Sequence, residues 1–207
     1  MKCESRMIAV SLVFLLGLSG CTGALRGESS PPRYFMIAPQ AQPANTSTES
    51  GPSIQIIEVQ VPGYLDRQPI VVRNEPHELR FTEFNLWGEK LSETLTRVLM
   101  ENIAVQAQAK RVSVYPGPLA EKWDYLVDVS LIRFEQSADN QVTLTARWRL
   151  GKGGDPHGAS LMSGRYEQSE PIDNSDRFLG SVQALSRVFA GMSATIADAI
   201  RQYQSAQ

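Results

Sequence analysis

Residues 123–150 have the sequence WDYLVDVSLIRFEQSADNQVTLTARWRL, and this stretch predicts the longest strands of the fold. Two runs of strand-forming residues, 123–136 and 141–150, flank turn residues at 137–140. If those four residues form a hairpin loop, one face of the pair is apolar and the other is polar. The register pairs Val127 with Leu150, Val129 with Trp148 and Leu131 with Ala146 on the apolar face, and Asp128 with Arg149 and Ser130 with Arg147 on the polar face. We therefore expect a long antiparallel hairpin in this register.

Shorter strands are predicted on both sides of the hairpin. Each is a short apolar or alternating run that is bounded by Pro, Gly or polar residues. The predicted strands lie at 34–37, within 54–61, and at 69–73, 79–81, 111–115 and 160–168.

Two amphipathic helices are predicted from apolar residues at helical spacing. The second begins near Ser175 or Asp176, either of which is a suitable N-cap, and continues to Ile200. The first spans 84–103 and presents one face that consists of Phe84, Trp87, Leu91, Leu95, Val98, Leu99 and Ile103. Together these elements predict an α+β fold, with a largely antiparallel mixed sheet and two long amphipathic helices packed on one face.

The composition argues against several classes of function. The 207 residues carry 20 Lys and Arg against 22 Asp and Glu, and this formal charge of −2 offers no basic field for nucleic acid. Both cysteines, Cys3 and Cys21, lie near the N-terminus, so the rest of the chain has no cysteine-based metal site. Neither His77 nor His157 has metal-ligand spacing, and no residue pattern indicates a catalytic nucleophile or carboxylate pair. We therefore expect no enzymatic activity, no metal and no cofactor.

The N-terminus has the features of a lipoprotein signal. Lys2 and Arg6 precede an apolar run at 7–18, which is shorter than the ~20 residues of a membrane-spanning helix. The run ends in Leu-Ser-Gly-Cys at 18–21, which resembles the bacterial lipobox, with cleavage before Cys21 and a lipid on its thiol. An ordinary secreted protein with a chance cysteine at the cleavage site is the alternative interpretation.

The lipobox predicts three parts of the chain. Residues 1–20 form the signal peptide, residues 21–32 carry the lipid on Cys21 and act as a flexible tether, and residues 33–207 form one periplasmic domain. Thr22 follows Cys21 where an Asp would favour retention in the inner membrane. By analogy with bacterial lipoproteins, this predicts sorting to the outer membrane.

The segment 61–73, VPGYLDRQPIVVR, places Tyr64, Leu65, Asp66 and Arg67 in a proline-bounded loop between strands. Two interpretations remain open for this motif loop. In the first, Tyr64 and Leu65 fold back over the sheet while Asp66 caps the turn. In the second, the loop contacts a partner protein, because exposed aromatic residues and Arg are enriched at interfaces.

Several of these features together resemble the PqiC family of ABC-type transport auxiliary lipoproteins. They are the lipobox, Tyr-Phe-Met-Ile at 34–37, the motif loop, and Leu-Trp-Gly-Glu-Lys-Leu at 86–91. The resemblance covers about Tyr34 to Ile200, although Gly88 and Lys90 depart from the family's Ala and Pro. It implies a homo-oligomeric ring at the outer membrane, where the lipoprotein is a non-catalytic docking collar on an MCE-domain protein of the PqiB type. Such a system carries lipids between membranes and maintains membrane integrity, and the implied partner-binding residues are Tyr64, Leu65, Asp66, Arg67 and Trp87.

Two other functions remain open. A pilotin-like lipoprotein would escort an outer-membrane complex, and would purify with a secretin or a β-barrel. A monomeric periplasmic lipid-binding lipoprotein would contain a deep apolar cavity and bound lipid. The predicted packing of both helices on the sheet argues against that cavity.

Overall fold

The computed structural model describes residues 31–40, 50–117, 122–173 and 175–206. The predicted signal peptide, Cys21 and most of the predicted tether lie outside these residues. The helices are α1 (Leu91–Gln106) and α2 (Arg177–Ser205). The strands are β1 (Arg33–Phe35), β2 (Ser53–Ile56), β3 (Pro69–Glu75), β4 (Glu78–Trp87), β5 (Arg111–Val114), β6 (Tyr125–Ser137), β7 (Gln141–Lys152) and β8 (Ser160–Pro171).

Strand β6 lies in the middle of the sheet and pairs with three other strands. It pairs antiparallel with β7, and β7 pairs antiparallel with β8. The other side of β6 pairs in parallel with β2 near its start and with β3 near its end. Beyond these, β5 lies parallel to β2, β4 antiparallel to β3, and β1 parallel to β4. The predicted α+β class with a mixed sheet is confirmed, and the long pairings are antiparallel while the parallel ones are short.

The hairpin register is confirmed over the first half of β6. Val127 lies opposite Leu150 and Leu131 opposite Ala146, as the sequence predicts. Ile132 is an extra residue in β6, because the next pair is Arg133 with Thr145. Such a bulge bends a strand and increases its twist. It shifts the remaining pairs by one residue, which the alternation of residues in the sequence did not reveal.

The first helix begins later than predicted. Phe84 and Trp87 belong to β4, and α1 begins at Leu91. The backbone N–H groups of Trp87 and Gly88 donate to the carbonyl oxygens of Gln68 and Phe35, at 2.7 Å and 2.8 Å. These bonds hold the end of β4 in the sheet. The prediction was wrong because two apolar strand residues three apart continue the helical spacing of the real helix by coincidence.

The second helix starts where the sequence predicts. Asp176 is its N-cap, and its carboxylate accepts a hydrogen bond from the Leu179 backbone N–H at 3.2 Å. The long helix packs its apolar side on the hairpin, where the rings of Phe134 and Phe189 meet edge to face with centroids 6.0 Å apart. Both helices therefore contribute to one core with the sheet. Among the described residues, neither helix combines the length and apolarity that crossing a membrane requires.

Candidate functional site

The motif loop folds back onto the domain. Its backbone forms a turn in which Pro62 O accepts hydrogen bonds from the N–H groups of Leu65 and Asp66, at 2.8 Å and 3.1 Å. This turn directs Leu65 inward, and only 2% of its surface is exposed. Leu65 therefore belongs to the hydrophobic core of the monomer, as the first interpretation of the loop predicts.

Asp66 caps α1 from outside the helix. Its Oδ1 accepts a hydrogen bond from the Ser92 backbone N–H at 3.0 Å, and Lys90 Nζ lies 3.5 Å from Oδ2. Lys90 occupies the N-cap position but provides no side-chain cap of its own. A carboxylate at a helix N-terminus satisfies an otherwise unpaired N–H and interacts favourably with the helix dipole. Asp66 therefore caps this helix rather than its own turn.

Tyr64 reaches a carboxylate that is buried under the loop. The Tyr64 hydroxyl donates to Glu135 Oε2 at 2.8 Å, and Arg73 and Arg133 each donate from Nε to Oε1, at 2.5 Å and 3.2 Å. The Glu135 side chain has no exposed surface. Burying a carboxylate is costly unless it is paired and hydrogen-bonded, and these three donors supply both conditions. We call Tyr64, Arg73, Arg133 and Glu135 the Glu135 cluster.

The Glu135 cluster raises the pKa values of two of its members, Tyr64 and Arg73. Burial, together with the hydrogen bond to Glu135, raises the pKa of Tyr64 from 10.0 to about 12. The hydrogen bond from Arg73 to the same carboxylate raises the pKa of Arg73 above its ordinary value. The hydrogen bonds of Tyr64 and Arg73 to the shared Glu135 carboxylate connect the motif loop to the sheet.

The remaining members of the predicted partner set differ in exposure. Trp87 is 4% exposed and lies in the core. Arg67 is exposed; its Nε donates to Gly63 O at 3.2 Å, and its guanidinium lies 5.7 Å from the centre of the Phe81 ring. Leu65 and Trp87 are thus packing residues in the monomer. A partner could reach the half-buried Tyr64 and the exposed Arg67, for which partner binding stays a prediction.

An open groove of about 690 Å³ adjoins the Glu135 cluster. Arg73 and Arg133 line one part of it, and Asp139 in the β6–β7 turn lines another. The sequence analysis did not single out Arg73, Arg133 or Glu135. One signal was available, because residues two apart in a strand share a face, which brings Arg133 and Glu135 together. The bulge at Ile132 turns that face to the polar side of β6. Arg73 could not be found in this way, because it lies 62 residues from Glu135 in the chain.

A second groove, of about 380 Å³, lies on the polar face of β6, β7 and β8. Here Arg147 lies directly opposite Ser130 on one side and Arg165 on the other. Arg149 lies opposite Asp128, with 3.8 Å between Nη2 and Oδ2, as the hairpin register predicts. Guanidinium and hydroxyl groups in this arrangement are suited to carboxylate or phosphate groups.

His77 and His157 are exposed residues in turns. Within the described ranges, no three His, Cys, Asp or Glu side chains come together in a way that could hold a metal ion.

A comparison with known protein families identifies the family of this domain. The family model for the ABC-type transport auxiliary lipoprotein component matches residues 34–197, which include every described strand except the first residue of β1. The chain belongs to this family. The resemblance to PqiC that the sequence motifs indicate is therefore confirmed.

Individual relatives of this auxiliary lipoprotein agree with the family match. The intermembrane transport lipoprotein PqiC of Escherichia coli (strain K12) is 25% identical over 187 residues, which cover 90% of this chain and 94% of the relative. A crystal structure of an uncharacterized protein has a TM-score of 0.66 at 20% identity and covers 82% of this chain and 99% of that one. Protein XCC0632 from Xanthomonas campestris has a TM-score of 0.62 at 15% identity, covering 79% of this chain and 92% of that one. Both structures share the fold described here.

Proposed function

We infer that this auxiliary lipoprotein is the outer-membrane docking subunit of an MCE-type intermembrane lipid transport system. The observation that carries the inference is the similarity to PqiC along 90% of the chain, since PqiC is named an intermembrane transport lipoprotein. In this role, Cys21 carries the lipid anchor and Thr22 directs the protein to the outer membrane. The domain is a non-catalytic collar that binds an MCE-domain protein of the PqiB type and assembles into a ring.

The chemistry of the described residues supports a role in docking. The core side chains of the sheet and of both helices pack against each other, and the two grooves described above are open and lined mainly by polar and charged residues. Such surfaces suit contact with a protein better than enclosure of an acyl chain. Tyr64 and Arg67 remain the accessible candidates for partner binding in the motif loop.

The test is affinity purification of the full-length lipoprotein from detergent-solubilised envelopes, with identification of the accompanying proteins by mass spectrometry. We expect an MCE-domain protein to be enriched. A secretin or an outer-membrane β-barrel in its place would contradict this function and support the pilotin-like alternative. Bound phospholipid on a monomer with no protein partner would support the lipid-binding alternative.

Cys21→Ser is the matched control for the anchor. We expect this variant to lose the acyl group and to leave the membrane fraction or to remain as unprocessed precursor. Acyl labelling that persists in Cys21→Ser would contradict the lipobox.

Arg67→Ala, at an exposed position, should weaken recovery of the partner without changing the thermal unfolding temperature.

A further inference from the structure

The first strand and its neighbour present an apolar face to the outside of the domain. Tyr34 of β1 lies opposite Leu86 of β4, and Phe35 lies opposite Trp87. Because strand side chains alternate, Phe35 and Trp87 point into the core, whereas Tyr34 and Leu86 lie on the other face, where Tyr34 is exposed and Leu86 is partly exposed. Met36 follows β1 and is exposed, and Phe84 is exposed in the part of β4 where the pairing with β3 shifts register. We call Tyr34, Met36, Phe84 and Leu86 the β1–β4 patch.

The side chains of the β1–β4 patch are apolar or aromatic, and three of them are exposed. Tyr34 is 59% exposed, Met36 48% and Phe84 38%. Among the described strands, β1 pairs with β4 alone, so it forms one edge of the sheet. Neighbouring exposed aromatic and apolar side chains of this kind mark a contact surface, because scattered single residues are common and grouped ones are not.

The position of the patch in the chain indicates what covers it. Residues 22–32 separate the predicted lipid-bearing Cys21 from Arg33, the first residue of β1. Eleven residues span at most about 38 Å when extended and about 18 Å as a flexible coil. The predicted anchor therefore keeps the start of β1 within about 38 Å of the bilayer. This step rests on the proposed lipid anchor.

The side chains also match the interface between water and lipid. Tyrosine is enriched at that interface because its ring is apolar and its hydroxyl is polar. The Tyr34 side chain is exposed, so its hydroxyl can reach headgroups and water. Arg33 Nη2 lies 2.5 Å from Asp176 Oδ2, and this ion pair connects β1 to the start of α2. A contact made by β1 would therefore orient the whole domain.

We propose that the β1–β4 patch docks into the headgroup region of the phospholipid bilayer that holds the Cys21 anchor. The acyl chains attach the protein, and the patch sets the orientation of the domain on the membrane. Tyr34, Met36 and Phe84 enter the boundary between headgroups and acyl chains, where interfacial apolar side chains lie about 5–10 Å deep. The opposite edge of the sheet, β8, stays in water.

The test uses a single reporter on the full-length lipoprotein. Cys3 leaves with the signal peptide and Cys21 carries the lipid, so an introduced cysteine is the free thiol of the mature chain. Tyr34→Cys and Phe84→Cys place a polarity-sensitive fluorophore in the patch, and Ser163→Cys places it on exposed β8 as the matched control. Each protein is reconstituted into vesicles of phosphatidylethanolamine and phosphatidylglycerol that contain a nitroxide-bearing phospholipid.

We expect fluorophores at 34 and 84 to be quenched by the nitroxide several times more strongly than the fluorophore at 163, and to emit at shorter wavelength. Adding Tyr34→Asp to the Phe84→Cys protein should remove most of that quenching, because a carboxylate resists entry into the interface. Thermal unfolding of each variant confirms that the domain is folded.

Equal quenching at 34, 84 and 163 would overturn the proposal. A blue-shifted fluorophore at 34 that is unquenched by lipid and depends on protein concentration would also overturn it, and would show that a second copy covers the patch. Vesicle flotation separates these results from a failure of the anchor. A protein that carries no acyl group and does not float would overturn both the lipid anchor and the docking of the patch.

Discussion

At the scale of single residues, Glu135 is the residue that fixes the motif loop to the sheet. Its buried carboxylate collects donors from Tyr64, Arg73 and Arg133, which belong to the loop and to two strands. Asp66, two residues after Tyr64, holds the N-terminus of α1. Leu65 between them fills the core. The residues that make this loop distinctive therefore connect three elements of the fold, and partner binding through Tyr64 and Arg67 stays a prediction.

Asp66→Ala should lower the free energy of unfolding by about 0.5–2 kcal/mol, because the Ser92 N–H loses its acceptor at the start of α1. Glu83→Ala removes the same charge from an exposed position on β4 and is the matched control. Urea unfolding followed by circular dichroism measures both. Equal stability of the two variants would show that the cap contributes nothing.

The buried hydroxyl of Tyr64 predicts a stability that depends on alkaline pH. Folding raises the pKa of Tyr64 from 10.0 to about 12, so between these values the unfolded chain releases a proton that the folded chain keeps. Stability should be complete below pH 10 and should fall as the pH rises toward 12. Tyr64→Phe should flatten this fall, as measured by urea unfolding at several pH values.

Two further tyrosines remain in the Tyr64→Phe variant. Burial also raises the pKa values of Tyr125 and Tyr166, so part of the alkaline loss of stability should persist. Tyr34→Phe, at an exposed position, is the matched control. An identical pH profile for wild type and Tyr64→Phe would contradict the role assigned to this hydroxyl.

At the scale of elements, the bulge at Ile132 divides β6 into two parts that pair with different strands. Before it, β6 faces β2 and β7 with the register that residue alternation predicts. After it, Arg133 and Glu135 lie on the polar face, and β6 pairs with β3. The bend allows one strand to join two separate parallel neighbours, because bulges increase twist and redirect side chains. The Glu135 cluster lies in this second half.

Two backbone segments approach each other closely at Gly51. A Cβ at this position would lie 1.8 Å from the Gln108 carbonyl oxygen, where the segment before β2 crosses the connection from α1 to β5. Gly51→Ala should therefore cost about 1–3 kcal/mol or more of unfolding free energy. Gly63→Ala is the matched control, since a Cβ there would meet nothing within 4 Å. A similar melting temperature for both variants would contradict this close packing.

At the scale of the whole molecule, the proposed function requires assembly. Because the domain is small relative to the space between two membranes, bridging that space depends on a partner. We expect the full-length lipoprotein in detergent to have a protein mass above that of one chain, measured by light scattering with correction for bound detergent. A monomer at every concentration, also in the presence of an MCE-domain partner, would contradict the ring.

Features that depend on neighbours in the chain were predicted better than contacts between distant elements. The start of α2 was predicted because the N-cap of Asp176 involves residues close in the chain. The hairpin register was predicted only up to Leu131, because the extra residue Ile132 shifts the pairs nearest the turn by one position. The start of α1 was predicted wrongly at Phe84 and Trp87. Their place in β4 depends on hydrogen bonds to Gln68 and to Phe35, which the local spacing of apolar residues does not encode.

The sequence by itself determined the lipobox at Cys21 as an expectation, the α+β class, the hairpin register up to Leu131 and the similarity to PqiC. Only the tertiary structure decided the roles within the motif loop: Leu65 in the core, Asp66 at α1 and Tyr64 on Glu135. Tyr64 and Glu135 are 71 residues apart, and Asp66 and Ser92 are 26 apart. Alternation and helical spacing report which face of an element is buried, whereas contacts between distant elements arise only when the faces pack together.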